Sequence, residues 1–198
     1  MKNPTVVSLF AGCGGMDYGF KKAGFDIIWA NDFFKDAVKT YEKNIGKHIV
    51  SGDIREISSD EIPDSPDVVL GGFPCQGFSI ANSKKPTYDE RNYLYKEMVR
   101  VINDKRPKFF VGENVKGMLS LNDGKFIKDI VSAFKDIGYH VEYKLVDMIN
   151  YGVPQTRQRV IIIGNRIGAK NQFPKETHGN GKGLITPLTT RETIGHLC

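Results

Sequence analysis

The sequence predicts an α/β protein with a doubly wound, mostly parallel sheet. Short apolar runs of β type alternate with stretches of helical periodicity, glycines stand where helices should stop, and polar residues follow the strands. Alternation of this kind places helices on both faces of a parallel sheet, because crossover connections between parallel strands are right-handed. In such sheets ligands bind at the carboxyl ends of the strands, so we expect the functional residues there.

The predicted elements follow one another from the amino terminus. An apolar run at 5–10 predicts the first strand, which ends in a glycine cluster at 12–15. A helix then extends to Ala23 and stops at Gly24. The remaining predicted helices, identified by apolar residues at helical spacing, are 36–44, 91–104 and 125–137. The remaining predicted strands are 25–30, 49–50, 67–70, 109–111, 139–147 and 160–164.

Length and charge predict one main domain followed by a short basic segment. The 198 residues fit a single domain with a substantial core. Residues 1–150 hold 21 Lys and Arg against 21 Asp and Glu, whereas residues 151–198 hold seven against two. We therefore predict an α/β domain over 1–166 and a basic, loop-rich segment over 167–198. The basic end suggests a polyanionic partner, and a solvated basic tail is the equal alternative.

Composition and cysteine usage disfavour several classes of protein. No apolar run approaches the roughly 20 residues that span a bilayer, and the start lacks a signal-peptide pattern. We therefore expect a cytoplasmic protein without membrane association. The three cysteines lie far apart with no Cys-x-x-Cys pair, and the four histidines are scattered. Neither a disulfide framework nor a metal site is predicted.

The glycine turn after the first strand predicts a nucleoside-binding site. Such a turn lets the backbone approach a ligand closely and directs amide groups at it. Asp32 lies 20 positions after Gly12, which suits a carboxylate that binds ribose hydroxyls. The dinucleotide fingerprint needs a glycine where this sequence has Asp17, so NAD is disfavoured. S-adenosylmethionine lacks the pyrophosphate and fits better. Asp53 could bind its adenine amino group, or could simply be a turn aspartate.

Polar residues near three other strands suggest catalysis. Cys75 follows a strand and two glycines; most cysteines are buried small hydrophobes, but this one is predicted at the functional edge. Glu113 follows the fifth strand, and Arg157 and Arg159 are spaced to point to one side of a strand. A random core would rarely bring a thiol, a carboxyl and two guanidinium groups together. Cys13, in the glycine turn, is predicted to pack.

Four motifs resemble those of the DNA (cytosine-5) methyltransferase family, in order and spacing, over nearly the whole chain. They are Phe-Ala-Gly-Cys-Gly-Gly at 10–15, Gly-Phe-Pro-Cys-Gln at 72–76, Glu-Asn-Val at 113–115 and Gln-x-Arg-x-Arg at 155–159. The resemblance implies a Rossmann-like sheet of the S-adenosylmethionine-dependent methyltransferase type. It makes 1–166 the cofactor-binding catalytic domain, which methylates carbon 5 of cytosine in double-stranded DNA in a restriction-modification context.

The resemblance also implies a role for each site residue. Cys75 is the nucleophile that adds to carbon 6 of the base, and Glu113 supplies a proton to ring nitrogen 3. Arg159 holds the carbonyl oxygen of the base and favours the thiolate, Arg157 supports the pocket, and Asn114 braces the loop of Glu113. The base must leave the duplex to reach them. The implied cofactor contacts are Phe10, Gly12, Gly14, Asp32, Phe33, Asp53, Pro74 and Leu94. Plain packing is the alternative for the Phe33 and Leu94 side chains.

The sequence departs from the family at its carboxyl end. Family members continue into a target-recognition region and two further motifs, the last of which completes the cofactor site. A split enzyme whose second polypeptide carries the target-recognition domain, a shortened chain and a degenerate gene product are the alternatives. We expect weak cofactor binding and little activity of the chain alone. A tRNA cytosine-5 methyltransferase and a non-catalytic subunit or fragment are the alternative functions.

Overall fold

The structure is a computed structural model that describes residues 2–74 and 94–197. Seven strands form one sheet in the order β3-β2-β1-β4-β5-β7-β6. The strands are β1 Thr5–Leu9, β2 Asp26–Asp32, β3 Ile49–Ser51, β4 Val68–Gly71, β5 Phe109–Val115, β6 His140–Asp147 and β7 Gln158–Asn165. The helices are α1 Gly15–Lys22, α2 Lys35–Asn44, α3 Tyr95–Lys105, α4 Lys125–Asp136 and α5 Thr190–Ile194.

The predicted α/β fold is confirmed, and each predicted strand and helix has a counterpart. Element ends differ by a few residues; the first three residues of the helix predicted at 91–104 lie outside the described residues. β5 is longer than predicted, because β7 pairs with it along its whole length. The short helix α5 was not predicted. Its start carries a capping box between Thr189 and Glu192, which satisfies backbone donors of its first turn.

The sheet is mostly parallel, as predicted, but its last two strands break the parallel pattern. β1 to β5 pair in parallel, whereas β7 runs antiparallel to both β5 and β6. A crossover through α4 places β6 at the edge of the sheet and leaves one strand position between β6 and β5. The connection from β6 to β7 holds only a single 3-10 turn, Met148–Tyr151. Parallel neighbours need a crossover of a dozen or more residues, so β7 enters the vacant position in the opposite direction.

The two faces of the sheet are covered unequally in the described part of the chain. On one face Phe110 of β5 packs in the main core with Met98 of α3 and Phe134 of α4. On the other face α1 covers β1 and β4 through Met16, and Val111 of β5 is only half-buried. The residues of β5 therefore alternate between a buried and a half-buried side. None of the helices described in 2–74 and 94–197 is both long enough and apolar enough to span a bilayer.

The close packing of β7 on β5 generates a stability prediction. A Cβ added to Gly164 would overlap the ring of Phe110, which is fully buried and lies 4.2 Å from the Phe134 ring between centroids. Gly164→Ala should therefore destabilise the fold by about 1–3 kcal/mol, as overpacking does. The matched control is Gly19→Ala in α1, where a Cβ meets no atom within 4 Å. It should stabilise by about 0.5–1 kcal/mol, because alanine favours a helix. Urea unfolding of both variants measures this, and equal midpoints would contradict it.

Candidate active site

The candidate site lies where the order of the strands reverses. β1 lies between β2 and β4, and its last residue, Leu9, pairs with Asn31 of β2 on one side and with Gly71 of β4 on the other. Chains that leave neighbouring parallel strands in opposite directions open a crevice at the carboxyl edge. Two cavities open there, and Phe10 and Gly72, which follow β1 and β4, line both of them.

The smaller cavity, of about 310 Å³, collects most of the predicted cofactor contacts. Those that line it are Phe10, Asp32, Phe33, Asp53, Pro74 and Leu94. The carboxylate of Asp32 accepts hydrogen bonds from the amides of Gly12 at 2.7 Å and Phe34 at 2.8 Å, so its orientation is fixed. Phe33 leaves 65% of its surface exposed and offers an apolar face to a planar ring. The cavity thus combines one aromatic wall with two carboxylates.

Asp53 has a cationic partner at the rim of this cavity. Its carboxylate accepts from the guanidinium of Arg55, with Nη2 at 2.6 Å and Nε at 3.1 Å from Oδ2. The amide of Arg55 also donates to Oδ1 at 3.0 Å. The guanidinium hydrogen bonds lower the pKa of the Asp53 carboxyl. Asp53 is therefore held as an anion that can accept further hydrogen bonds.

The glycine turn was predicted to direct its amide groups at a ligand, and the structure shows a different arrangement. The amide of Gly12 donates to Asp32, and that of Gly14 donates to the carbonyl of Ala11 at 3.0 Å, so both bond within the protein. Gly12 lines the larger cavity, whereas Gly14 lines neither of the two, and its role as a cofactor contact stays a prediction. The prediction that Cys13 packs is wrong, because the residue is exposed at the larger cavity.

The larger cavity, of about 760 Å³, contains an ion pair between two predicted catalytic residues. The Nε atom of Arg159 lies 2.8 Å from Oε1 of Glu113. The pairing register explains the contact: Arg159 is opposite Val115, and Glu113 is opposite Ile161, so the two charges are diagonal neighbours on one face. The pair is partly exposed, with 19% of the Arg159 and 27% of the Glu113 side chain accessible.

Arg157 and Asn114 are also brought to this edge. Arg157 precedes β7 instead of lying in it, yet it lines the larger cavity, and its amide donates to Asp147 at 3.1 Å. The buried side chain of Asn114 donates to the carbonyl of Phe73 at 3.0 Å and accepts from the amide of Val115. Asn114 therefore connects β5 to the chain that follows β4, in addition to bracing its own strand.

The predicted nucleophile, Cys75, lies outside the described residues. The described chain before it ends at Pro74, on the wall of the smaller cavity. Two residues earlier, a Cβ at Gly72 would lie 3.7 Å from Oε2 of Glu113, in ordinary contact distance. The loop that precedes the nucleophile therefore passes between the two cavities.

Several residues of the two cavities were not singled out from the sequence. Phe34 and Arg55 line the smaller cavity, and Tyr151 lines the larger one. Asn31, which is buried, donates to the carbonyls of Val50 and Gly52 and holds the ends of β2 and β3 together. The position of Arg55 two residues after Asp53 could have indicated this contact from the sequence, because an Asx turn there brings the two side chains together. Within the described ranges, no group of three or more His, Cys, Asp or Glu side chains could hold a metal ion.

Comparison with known proteins identifies relatives over the whole sheet. The family model of the C-5 cytosine-specific DNA methylases matches residues 4–197. The chain is 44% identical to the type II methyltransferase M.NgoFVII of Neisseria gonorrhoeae, over 94% of this chain and 51% of that protein. It is 41% identical to M.BspRI of Lysinibacillus sphaericus, over 98% of this chain and 52% of that protein. The chain thus spans about half the length of the curated relatives it matches.

Solved structures agree with this assignment. A prophage-encoded E. coli protein assigned as a DNA modification methyltransferase superposes with a TM-score of 0.78 and 26% identity, over 97% of this chain and 54% of that one. The Dnmt2 methyltransferase of S. pombe has a TM-score of 0.68 at 22% identity, over 86% of this chain and 53% of that one, which shows a shared fold. The Rossmann-like methyltransferase architecture is therefore confirmed.

The contact between Arg55 and Asp53 generates a pH prediction. Arg55→Gln should raise the pKa of Asp53 toward its ordinary value of about 3.9, because the cationic donor is removed. The wild-type pair stabilises the fold above that value and loses its effect as the pH falls through the lowered pKa; with Arg55 half exposed, the contribution is below about 1 kcal/mol. Carboxyl NMR titration measures the change. Asp67, whose pKa is lowered by Lys108, is the internal control and should not move. An unchanged Asp53 titration would contradict the assignment.

Proposed function

Because the chain belongs to the C-5 cytosine-specific DNA methylase family, we propose that it methylates carbon 5 of cytosine in double-stranded DNA with S-adenosylmethionine as donor. The observation that carries the proposal is the Glu113–Arg159 pair, which lies at the same edge of the sheet as a cavity lined by Phe33 and by the carboxylates of Asp32 and Asp53. The relatives named above are type II methyltransferases, so a restriction-modification context belongs to the proposal.

The smaller cavity fits the adenosyl group of the donor. A carboxylate has about four acceptor positions, so Asp32 can accept from ribose hydroxyls in addition to the Gly12 and Phe34 amides. Phe33 can stack on adenine, and Asp53 can accept from the adenine amino group while it remains bonded to Arg55. Gly12, Gly14, Phe10, Pro74 and Leu94 complete the proposed contacts. When bound, S-adenosylmethionine supplies an electrophilic methyl group.

Covalent catalysis makes cytosine reactive toward that methyl group. Carbon 5 is a poor nucleophile until the sulfur of Cys75 adds to carbon 6, which shifts the ring electrons toward carbon 5. Glu113, in its protonated form, gives its proton to ring nitrogen 3, which neutralises the charge that develops there. After carbon 5 carries the methyl group, a base such as water removes the carbon 5 proton, the electrons of that bond restore the double bond, and the carbon–sulfur bond breaks to release the thiolate of Cys75. Ring nitrogen 3 returns its proton to Glu113. The cysteine leaves unchanged.

The two arginines provide positive charge around the reacting base. The guanidinium of Arg159 has five N–H donors, one of which bonds the carbonyl of Gln158 at 2.8 Å. It can therefore bind the carbonyl oxygen of the base while it stays beside Glu113. Arg157 is exposed at the cavity and supports the same pocket. The cationic side chain of Arg159 also favours the thiolate form of Cys75.

A second polypeptide belongs to the proposal as the carrier of the target-recognition region. On the face opposite the main core, Val111, Ile161 and Val146 line the larger cavity together with the catalytic pair. Apolar side chains beside a charged pair at an open cavity are typical of a surface that another segment covers, so this surface suits an additional covering segment. The relatives have about as much chain again beyond the matched part. Phe173 and Pro174 of the basic segment 167–198 also line the larger cavity, so this segment lies beside the proposed binding site of the nucleic acid.

Donor binding depends on the aromatic wall of the smaller cavity. Phe33→Ala should weaken binding of S-adenosylhomocysteine about tenfold or more, because stacking on a base contributes about 1–3 kcal/mol. Tyr143→Ala, which removes an exposed aromatic side chain from β6, is the matched control and should bind normally. Isothermal titration calorimetry measures both. Equal affinities of the two variants would exclude Phe33 from the donor site.

Covalent catalysis is tested by trapping. A duplex that contains 5-fluorocytosine cannot lose its substituent, so with donor present the wild-type chain should form an adduct that survives denaturing electrophoresis. Cys75→Ser should form none, and Cys13→Ser should form as much as the wild type, since the exposed Cys13 thiol has no role in the mechanism. Glu113→Gln should slow adduct formation at least about 100-fold. An adduct in Cys75→Ser would refute the nucleophile, and an adduct with tRNA alone would refute the DNA substrate.

A further inference from the structure

A buried carboxylate lies behind the glycine turn and has no part in the proposed mechanism. Asp17, in the first turn of α1, is fully buried. Its Oδ1 accepts from the hydroxyl of Ser8 at 2.6 Å, and its Oδ2 accepts from the hydroxyl of Tyr41 at 2.6 Å. Carboxylates are rarely buried so completely unless they are paired, so these two hydroxyls have a specific function, which is to satisfy the buried carboxylate.

The partners of Asp17 belong to the elements on both sides of the turn. Ser8 lies in β1, two residues before Phe10, which lines both cavities. Tyr41 lies in α2, whose first turn follows Phe33 and Phe34 on the wall of the smaller cavity. The hydrogen bonds of Asp17 therefore join the two walls between which the donor would bind.

Tyr41 also supports the turn directly through its ring. Gly14 has a φ of +87°, and a Cβ at this position would lie 2.9 Å from the ring of Tyr41 and 2.6 Å from Ile45. The turn thus rests on the same tyrosine whose hydroxyl is bonded to Asp17. The hydroxyl of Tyr41 also lies 3.1 Å from Nε2 of His48. A shift of Tyr41 would be transmitted to Gly14 and, through the turn, to Gly12.

We propose that Asp17 is a positioning residue of the donor site, which holds the glycine turn through the hydroxyls of Ser8 and Tyr41. The part of this inference that concerns the donor rests on the proposed function. Asp17 occupies the position at which dinucleotide-binding turns have a glycine, so the residue that disfavours NAD here has a structural role in its place. The fixed turn keeps the Gly12 amide on Asp32 and thereby orients the carboxylate toward the ribose.

The electrostatics of the cluster explain why two hydroxyl donors are needed. Burial raises the pKa of the Asp17 carboxyl, and the hydrogen bonds from Ser8 and Tyr41 oppose this shift because they favour the anion. The carboxylate also lies in the first turn of α1, where the helix dipole favours negative charge. If one hydroxyl is removed, the anion retains too few donors and the cluster must rearrange.

Tyr41→Phe removes one hydroxyl and preserves the ring under Gly14. Hydrogen exchange measured by NMR should show the Gly12 and Gly14 amides exchanging about tenfold faster, while amides of the β5–β7 ladder keep their rates. The matched control is Tyr139→Phe, since Tyr139 is equally buried and its hydroxyl donates to the carbonyl of Pro107 at 2.6 Å. In this control, the ratio of the exchange rates of the Gly12 and Gly14 amides to those of the β5–β7 ladder amides should equal the wild-type ratio.

The dependence on charge is tested with Asp17→Asn. In that background the amide is neutral, so adding Tyr41→Phe should accelerate exchange of the turn amides less than about threefold. A tyrosine that acted only by packing would give the same effect in both backgrounds, and that result would overturn the proposal. Uniform acceleration over the whole sheet, or no change at the turn, would overturn it as well.

Donor affinity completes the experiment and separates the two proposals. Tyr41→Phe should raise the dissociation constant of S-adenosylhomocysteine about tenfold in calorimetric titrations, and Tyr139→Phe should leave it unchanged. If the wild-type chain does not bind this probe, the proposed function fails, and the exchange rates still decide whether Asp17 holds the turn. If the turn loosens in Tyr41→Phe without any loss of affinity, the positioning role is refuted and the donor site stands.

Discussion

The pairing of β1 between β2 and β4 is the constraint on which the site depends. Because the three strands are parallel and in register at Leu9, Asn31 and Gly71, their chains leave the sheet at one level. The end of β2 contributes Asp32 and the chain after it Phe33, and the chain after β4 contributes Gly72 and leads toward Cys75. The ladder brings these groups to one edge, and the hydrogen bonds of Asp32 and Asn114 then fix the chains that follow the strands. Loops can vary around this point while the distance between the walls stays fixed by strand spacing.

The antiparallel orientation of β7 is equally necessary. In a parallel strand the residues at the amino end lie at the opposite edge of the sheet from the ligand. Arg159 is the second residue of β7, and it reaches the functional edge only because β7 runs against β5. The sequence predicts that the arginines belong to the site, and both line the larger cavity. It did not predict the direction of the strand that puts them there, because direction depends on the path from β6 and not on local pattern.

The fold could be predicted from sequence to a large extent, and the site to a lesser one. The seven strands and the first four helices follow from apolar periodicity, which is local, so their ends are predicted to within a few residues; the short helix α5 lacks this signal. The glycine turn shows the limit of this reasoning. Gly12 and Gly14 were treated alike, yet the structure gives Gly14 a packing role against Tyr41 and leaves Cys13 exposed. Such differences depend on α2, which lies far along the chain, and no local pattern reports them.

The Glu113–Arg159 pair is better explained by function than by stability. Both side chains are partly exposed, and ion pairs in such positions contribute only about 0.2–1 kcal/mol. A pair this weak is easily rearranged when a base enters the cavity and takes hydrogen bonds from both partners. A fully buried pair would resist that change, because separating buried charges costs several kcal/mol. In the proposed reaction, the half-open face of β5 and β7 would therefore let the two charges stay preorganised and still exchange partners.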